Sequence, residues 1–311
     1  MNRLLHLLAP LALLSLLTGC IKERYEDCEW YTLTFSYEGE DATDIFAQRI
    51  SDVNLFIYDV NNRLVQTQHI DHEALQAMQG TKLNVEHGTY RVVAIGNALS
   101  HTQINNYSAD DMSQNYLSHP NVESGGTVES NDALYLGTKI ITLPEYQYAT
   151  EQIAFRSAHR KISYKVIVGE ADPTKKSVVT RADERTFTLK VKNLLPLMDF
   201  SGATFGDTMT YTPTFTPEGA LGNQTTLFNV LRPQKWDDIE FELSDAATGE
   251  IINTLNLGDF LAQYPQVDIN AEDDVLPIEV HIEYKGDIFT NVTITIPDWL
   301  IQDVTPEYGT N

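Results

Sequence analysis

The chain has 311 residues and carries 44 Asp and Glu against 21 Lys and Arg, a formal charge of −23. That acidity argues against nucleic-acid binding and against charge-driven docking on anionic lipid. The only cysteines are Cys20 and Cys28, so no disulfide framework is available and the fold must be held by its core.

Residues 1–19 open with Arg3 as a short positive segment. Leu4 to Leu17 follows, apolar except for His6, Pro10 and Ser15. The run is short for a bilayer span, contains a proline and matches the apolar region of a secretory signal peptide. Its end, Leu17-Thr18-Gly19-Cys20, fits the bacterial lipobox. Two small residues let the peptide bond before Cys20 enter a narrow protease site, and the Cys20 thiol becomes the thioether to a diacylglycerol. An ordinary signal peptide would more often end in Ala-x-Ala, which is absent. A thioether uses up the sulfur, so Cys20 cannot pair with Cys28. Each buried methylene contributes roughly 0.8 kcal/mol, and two or more acyl chains anchor stably. The mature chain then begins at Cys20, and losing Arg3 makes its formal charge −24.

Residues 20–30 are polar and read as a tether. Tyr31 to Tyr37 alternates without a break, with Tyr31, Leu33, Phe35 and Tyr37 on one face, the pattern of a half-buried strand. Residues 52–70 predict two strands around an Asn61-Asn62 turn. Asp71 is placed to cap a short helix over 72–79, with Ala74, Leu75 and Met78 on one side. Residues 82–98 predict a hairpin turning at His87-Gly88. The stretch 99–131 is polar and irregular, with a short helix near 109–117, and 133–143 is strand-like again.

A second run of strands follows a break near 150. Ile162, Tyr164, Val166 and Val168 share one face, as do Phe187, Leu189 and Val191. Residues 239–257 and 276–296 predict hairpins turning at Thr248-Gly249 and Lys285-Gly286. Many short alternating strands predict β-sandwiches, and no strand–helix–strand rhythm supports a parallel sheet. The expected division is a signal peptide over 1–19, a lipidated tether over 20–30 and two β-sandwich domains over 31–150 and 151–311.

Candidate chemistry is sparse. His69 and His72 are three apart with no third metal ligand nearby. His101 and His119 lie in the irregular stretch without flanking ligands. Residues 268–274 carry oxygen ligands at alternate positions but lack the central Gly and distal Glu of an EF-hand loop. Asp207-Thr208-Met209 resembles a short bacterial O-glycosylation acceptor motif. No nucleophile elbow, dinucleotide fingerprint or Walker motif is present. The expectation is a protein that is not an enzyme, with no catalytic or metal residues and no small-molecule substrate. Trp30, Trp236 and Trp299 could stack on sugar, although Trp at strand ends more often packs a core or rim.

"CIKERYEDCEWYTLTFSY" resembles the start of the fimbrial anchor-subunit lipoproteins of Bacteroidia: a lipobox Cys, a spacer, a second Cys and an alternating strand. "VNLFIYDVNNRLV", "GTYRVVAIGNA", "AFRSAHRKISYKVIV" and "NVTITIPDWLIQD" resemble later family segments. Asp298 stands where the family pattern has Gly. The resemblance implies an all-β chain of two tandem transthyretin-like β-sandwich domains. It also implies a lipoprotein exported to the outer membrane that anchors a type V fimbria and limits shaft length. The covalent lipid on Cys20 would be its only attached group, and a fimbrial shaft subunit and the outer membrane its partners. In related shaft subunits proteolysis removes an N-terminal strand and opens a groove. Here the expectation is that Tyr31–Tyr37 is kept and that the C-terminal segment is offered to the shaft, with Val292, Ile294 and Ile296 facing inward. The competing reading makes those three ordinary core residues. A surface glycan-binding lipoprotein of a polysaccharide-uptake system is the alternative function.

Overall fold

The structure, a computed structural model, describes residues 31–39, 42–107, 111–145, 147–170, 185–219, 222–272, 275–285 and 288–297. Cys20, Cys28, Trp30, Trp299 and the departure at Asp298 lie outside the described residues.

The first strands are β1 (Tyr31–Ser36), β2 (Val53–Tyr58), β3 (Leu64–Ile70), β4 (Gly80–Leu83) and β5 (Gly88–Gly96). After them come β6 (Gln103–Asn105), β7 (Tyr116–Ser118), β8 (Tyr135–Leu143), β9 (Ala149–Ala154) and β10 (Arg156–Ser157). A three-stranded sheet, β4-β1-β9, faces a five-stranded sheet, β10-β8-β5-β2-β3. Leu33 and Phe35 of β1 meet Leu55 and Ile57 of β2, Val92 and Ala94 of β5 and Ile153 of β9, all nearly solvent-free. The alternation of β1 is kept: Tyr31, Leu33 and Phe35 are buried while Thr32 and Thr34 are half-buried.

The Asn62 turn between β2 and β3 forms, with Asn62 at φ 61°. Asp71 caps a helix over His72–Ala77 by accepting the Ala74 amide at 2.9 Å, and Leu75 alone of its residues is buried. The hairpin expected over 82–98 does not form. β4 pairs with β1 and β5 pairs with β2 and β8, so the chain at 84–87 crosses from one sheet to the other. A Gly after a polar residue marks such an arch as readily as it marks a hairpin turn.

The second set is β11 (His159–Glu170), β12 (Phe187–Leu194), β13 (Leu197–Asp199), β14 (Thr204–Phe205), β15 (Met209–Tyr211) and β16 (Thr216–Pro217). It continues with β17 (Gln224–Leu231), β18 (Glu240–Asp245), β19 (Ile251–Asn256), β20 (Val275–Lys285) and β21 (Ile288–Thr295). The sheet β16-β17-β11-β20-β21 covers the sheet β15-β12-β18-β19. Ile162, Tyr164, Val166 and Val168 face Phe187, Leu189 and Val191 across the core, as the alternation predicts. Both expected hairpins, β18–β19 and β20–β21, are antiparallel pairs.

Among the described strands two pairings are parallel, β1 with β9 and β11 with β20. The absence of a strand–helix–strand rhythm does not exclude them here. The connection between each pair is a whole run of strands, not a crossover helix, so it leaves no local periodic trace. Each set therefore has the same plan, its first strand parallel to a late strand on one side and antiparallel to another strand on the other.

The pairing also locates the join between the two sets. β9 and β10, over 149–157, pair with first-set strands, and His159 opens the second set. Position 150 thus lies inside a strand of the first sandwich.

A further four-stranded sheet, β14-β13-β7-β6, takes two strands from each set. Met198 and Phe200 from the second set and Leu117 from the first pack on Phe56, Val93 and Ile95, which point outward from the five-stranded sheet. The central strands β2 and β5 of that sheet are consequently buried on both faces. "LFIY" and "VVAI" are apolar at consecutive positions for this reason, since strands covered on two faces lose their alternation. The Asn115 side-chain amide, 1% exposed, donates to the Tyr58 hydroxyl in the same layer. Burial pushes Tyr58 up to about 12, only partly offset by that bond.

Candidate assembly surfaces

The four histidines singled out in the sequence have local partners. His69 Nε2 lies 2.5 Å from Asp52, and His72 contacts Gln76. His101 and His119, 18 positions apart in sequence, stack with ring centroids 5.4 Å apart. The Asp132 carboxylate accepts the Leu99 and His101 amides beside them. His119 accepts the Asn121 amide through Nδ1, and burial, then the nearby His101, hold its ring below the usual range despite Asp132. Their distance along the chain hides this pair from a reading of the sequence. Among the described residues no group of three or more His, Cys, Asp or Glu side chains is placed to hold a metal ion.

The acidic segment at 268–272 uses its oxygens to join the two sandwiches. Tyr37 at the end of β1 donates its hydroxyl to the Glu272 carbonyl at 2.8 Å. The Ser157 amide donates to the Glu272 carboxylate at 2.6 Å. Arg160 and Arg232 donate to the Ala271 carbonyl at 2.8 and 3.2 Å, and Arg232 also reaches the Asn270 carbonyl at 2.9 Å. Asp268 accepts the Asn270 amide, which shapes the turn. Residues 273 and 274 lie outside the described residues.

Trp236 is 8% exposed and belongs to the second core, so it offers no face to a sugar. Thr208 is exposed. A cavity of about 580 Å³ opens at the junction, with Lys139, Arg156 and Arg232 on its walls and no aromatic ring in its lining.

What remains for recognition is the strand edges. β1 is not among them. It is held between β4 and β9, with its end fixed by Asp44, which accepts the Tyr37 and Phe46 amides at 3.0 Å each. Gln79 bridges the Asp44 carboxylate and the Phe35 carbonyl, both at 2.7 Å. Burial pushes the Asp44 carboxyl up, and these hydrogen bonds outweigh it, leaving the group below the ordinary value. β21 is an edge strand, paired only with β20 among the described residues. Ile296 is 2% exposed, and Val292 and Ile294 are partly buried against the second core. All three thus pack within their own sandwich, and the unpaired feature of β21 is its outer backbone edge. Among the described residues no helix is long and apolar enough to cross a membrane.

Two β-sandwiches joined by a shared four-stranded sheet and by the 268–272 loop define the class: an all-β protein of tandem sandwiches. The model of the Mfa2 family, fimbrillin-A-associated anchor proteins Mfa1 and Mfa2, matches residues 25–305. The chain belongs to that family. Its fold is shared with the fimbrial anchor protein Mfa2 of Porphyromonas gingivalis, at 13% identity and a TM-score of 0.63, covering 86% of this chain and 97% of that one. A candidate adhesin of Bacteroides ovatus matches at 15% identity and a TM-score of 0.70, covering 86% and 93%. A candidate polysaccharide-binding protein of Bacteroides thetaiotaomicron matches at 13% identity and a TM-score of 0.68, covering 86% and 96%. No curated protein sequence matches the chain significantly.

Proposed function

We propose that this chain is a lipoprotein that fixes a fimbria to the outer membrane at the cell surface and ends growth of its shaft. Cys20 carries the lipid, residues 20–30 form the tether, and the two sandwiches form the body that the shaft subunit contacts. The observation that carries this reading is the position of β1. A shaft subunit that is opened by losing its N-terminal strand must be able to release it. Here that strand is the middle of its sheet, with Leu33 and Phe35 at 0 and 1% exposure. Removing it would expose the first core and detach the lipid together with it. A protein that keeps this strand cannot offer a vacated groove to the next subunit, so it stands at one end of the polymer.

Contact with the shaft runs through the C-terminal segment. Residues 298–311 follow β21 and are the donor, and addition of such a segment to a partner's sheet edge gives affinity through main-chain hydrogen bonds and register through alternating side chains. Because Val292, Ile294 and Ile296 pack in the second core, a test of the segment must spare them. A chain ending at Pro297 keeps β21 and removes only residues 298–311. It is expected to fold and to lose its hold on fimbriae. Full retention of fimbriae by this folded truncation would rule out the C-terminal segment as the donor.

A further inference from the structure

The end of the first sandwich farthest from the second carries a distinct surface. Register places Tyr31, Leu83 and Ala149 side by side in one sheet, and Gly88 opposite Leu143 with Tyr58 near them in the other. The connections 59–63, 84–87 and 144–148 therefore share one pole with Tyr31, where the described chain begins. The opposite pole, with Tyr37 and Ser157, is the one bound to Glu272 of the second sandwich.

Val60 and Tyr148 are the two most exposed large hydrophobic side chains among the described residues, at 74 and 72%. Both lie on this pole, Val60 on the connection leaving β2 and Tyr148 directly before β9 of the facing sheet. Ile140 and Val65, also exposed, sit near the ends of β8 and β3 that lead to it. Scattered exposed apolar residues are ordinary on soluble proteins. Here they coincide with two further features. The first is charge: Asp59, Glu86 and Glu145 stand against Arg63 and Lys82 at this pole, close to neutral in a chain of formal charge −23. The second is the exit of the chain. From Cys20 to Tyr31 is eleven residues, which span at most about 40 Å when extended.

We propose that this pole rests on the lipid surface, with Val60 and Tyr148 entering the headgroup region. Tyrosine suits that zone, with an apolar ring and a polar tip. A nearly neutral pole approaches an anionic surface with less repulsion than the rest of the protein would meet. Contact there would give the protein a fixed orientation, with the second sandwich pointing away from the membrane. The proposal rests on lipidation at Cys20.

The test uses the full lipoprotein in vesicles of phosphatidylethanolamine and phosphatidylglycerol. In a Cys28→Ala background, Val60→Cys, Tyr148→Cys and Leu227→Cys each carry an environment-sensitive fluorophore. Leu227 is an exposed control on β17. The expected result is blue-shifted emission at positions 60 and 148, quenched by spin-labelled lipid, with water-like, unquenched emission at 227. Protein that floats with the vesicles but gives water-like emission at all three positions overturns the proposal and leaves lipidation standing. Protein that does not float overturns lipidation, and the proposal falls with it.

Discussion

Tyr37 and Glu272 lie 235 positions apart, yet the Tyr37 hydroxyl donates to the Glu272 backbone carbonyl at 2.8 Å. This bond ties the end of β1 to the loop that enters β20, and so joins the first strand of one sandwich to the other sandwich. The Glu272 side chain completes the joint by accepting the Ser157 amide.

Tyr37→Phe removes the hydroxyl without changing the ring packing and is expected to cost about 1 kcal/mol in urea unfolding. Glu272→Ala should cost more, about 1–3 kcal/mol, because Ser157 is 5% exposed and its amide would lose its acceptor. Unfolding midpoints unchanged in both variants would show that this joint contributes nothing.

Phe200, 2% exposed, packs from the second set onto Phe56 of the first, with ring centroids 5.2 Å apart. Phe200→Ala is expected to cost about 3–5 kcal/mol. The parent should unfold in one transition, monitored both by far-ultraviolet dichroism and by tryptophan fluorescence. In the variant the two signals should separate, because the third core is what the sandwiches share. Coincident transitions with a small loss would contradict that role.

Asp44 gives the joint at the end of β1 a pH dependence. Its carboxyl titrates below the ordinary value in the folded state, so its contribution is present above the unfolded value of about 3.9 and is lost as pH falls through the folded one. The side chain is exposed, and solvent screening limits the effect to about 1 kcal/mol. Asp44→Asn should lower stability near neutral pH and flatten its acid-side slope. A slope identical to the parent's would exclude Asp44 as a source of it.

Two glycines permit close strand approach. A Cβ on Gly80 would lie 2.1 Å from the Leu33 carbonyl oxygen, and one on Gly137 would lie 2.6 Å from a methyl of Ile153. Gly137→Ala is expected to cost about 1–3 kcal/mol, since a side chain can shift. Gly80→Ala should cost more, because it meets backbone and forces β4 away from β1. Thermal melts rank the two, and the reverse order would contradict this account.

Much of the sandwich pattern is legible in the sequence, because a sheet with one wet face writes its burial into alternate residues. Tyr31 to Phe35, Ile162 to Val168 and Phe187 to Val191 all read this way. Turns at Asn62 and Gly249, both in the left-handed region, are equally local. The features that escape such a reading depend on residues far apart in the chain. The shared sheet joins three-residue strands at 103–118 to others at 197–205, each too short to show a period. The crossing at 84–87 reads as a hairpin because adjacent strands usually pair. The acidic stretch at 268–274 reads as a solvated loop more readily than as a weak Ca²⁺ site, and only the hydrogen bonds of Tyr37 and Ser157 to Glu272 reveal a joint. On the functional side, the family is legible in the N-terminal segment, while the central position of β1 requires the fold.

Retention of fimbriae by cells carrying Cys20→Ala tests the anchor reading most directly. Cells and culture medium would be separated, fimbriae quantified in each fraction, and the chain itself checked for expression. The account predicts that fimbriae still form but move from the cells to the medium together with this protein. Fimbriae that stay on the cells as in the parent strain, with the unlipidated chain present and folded, would contradict it.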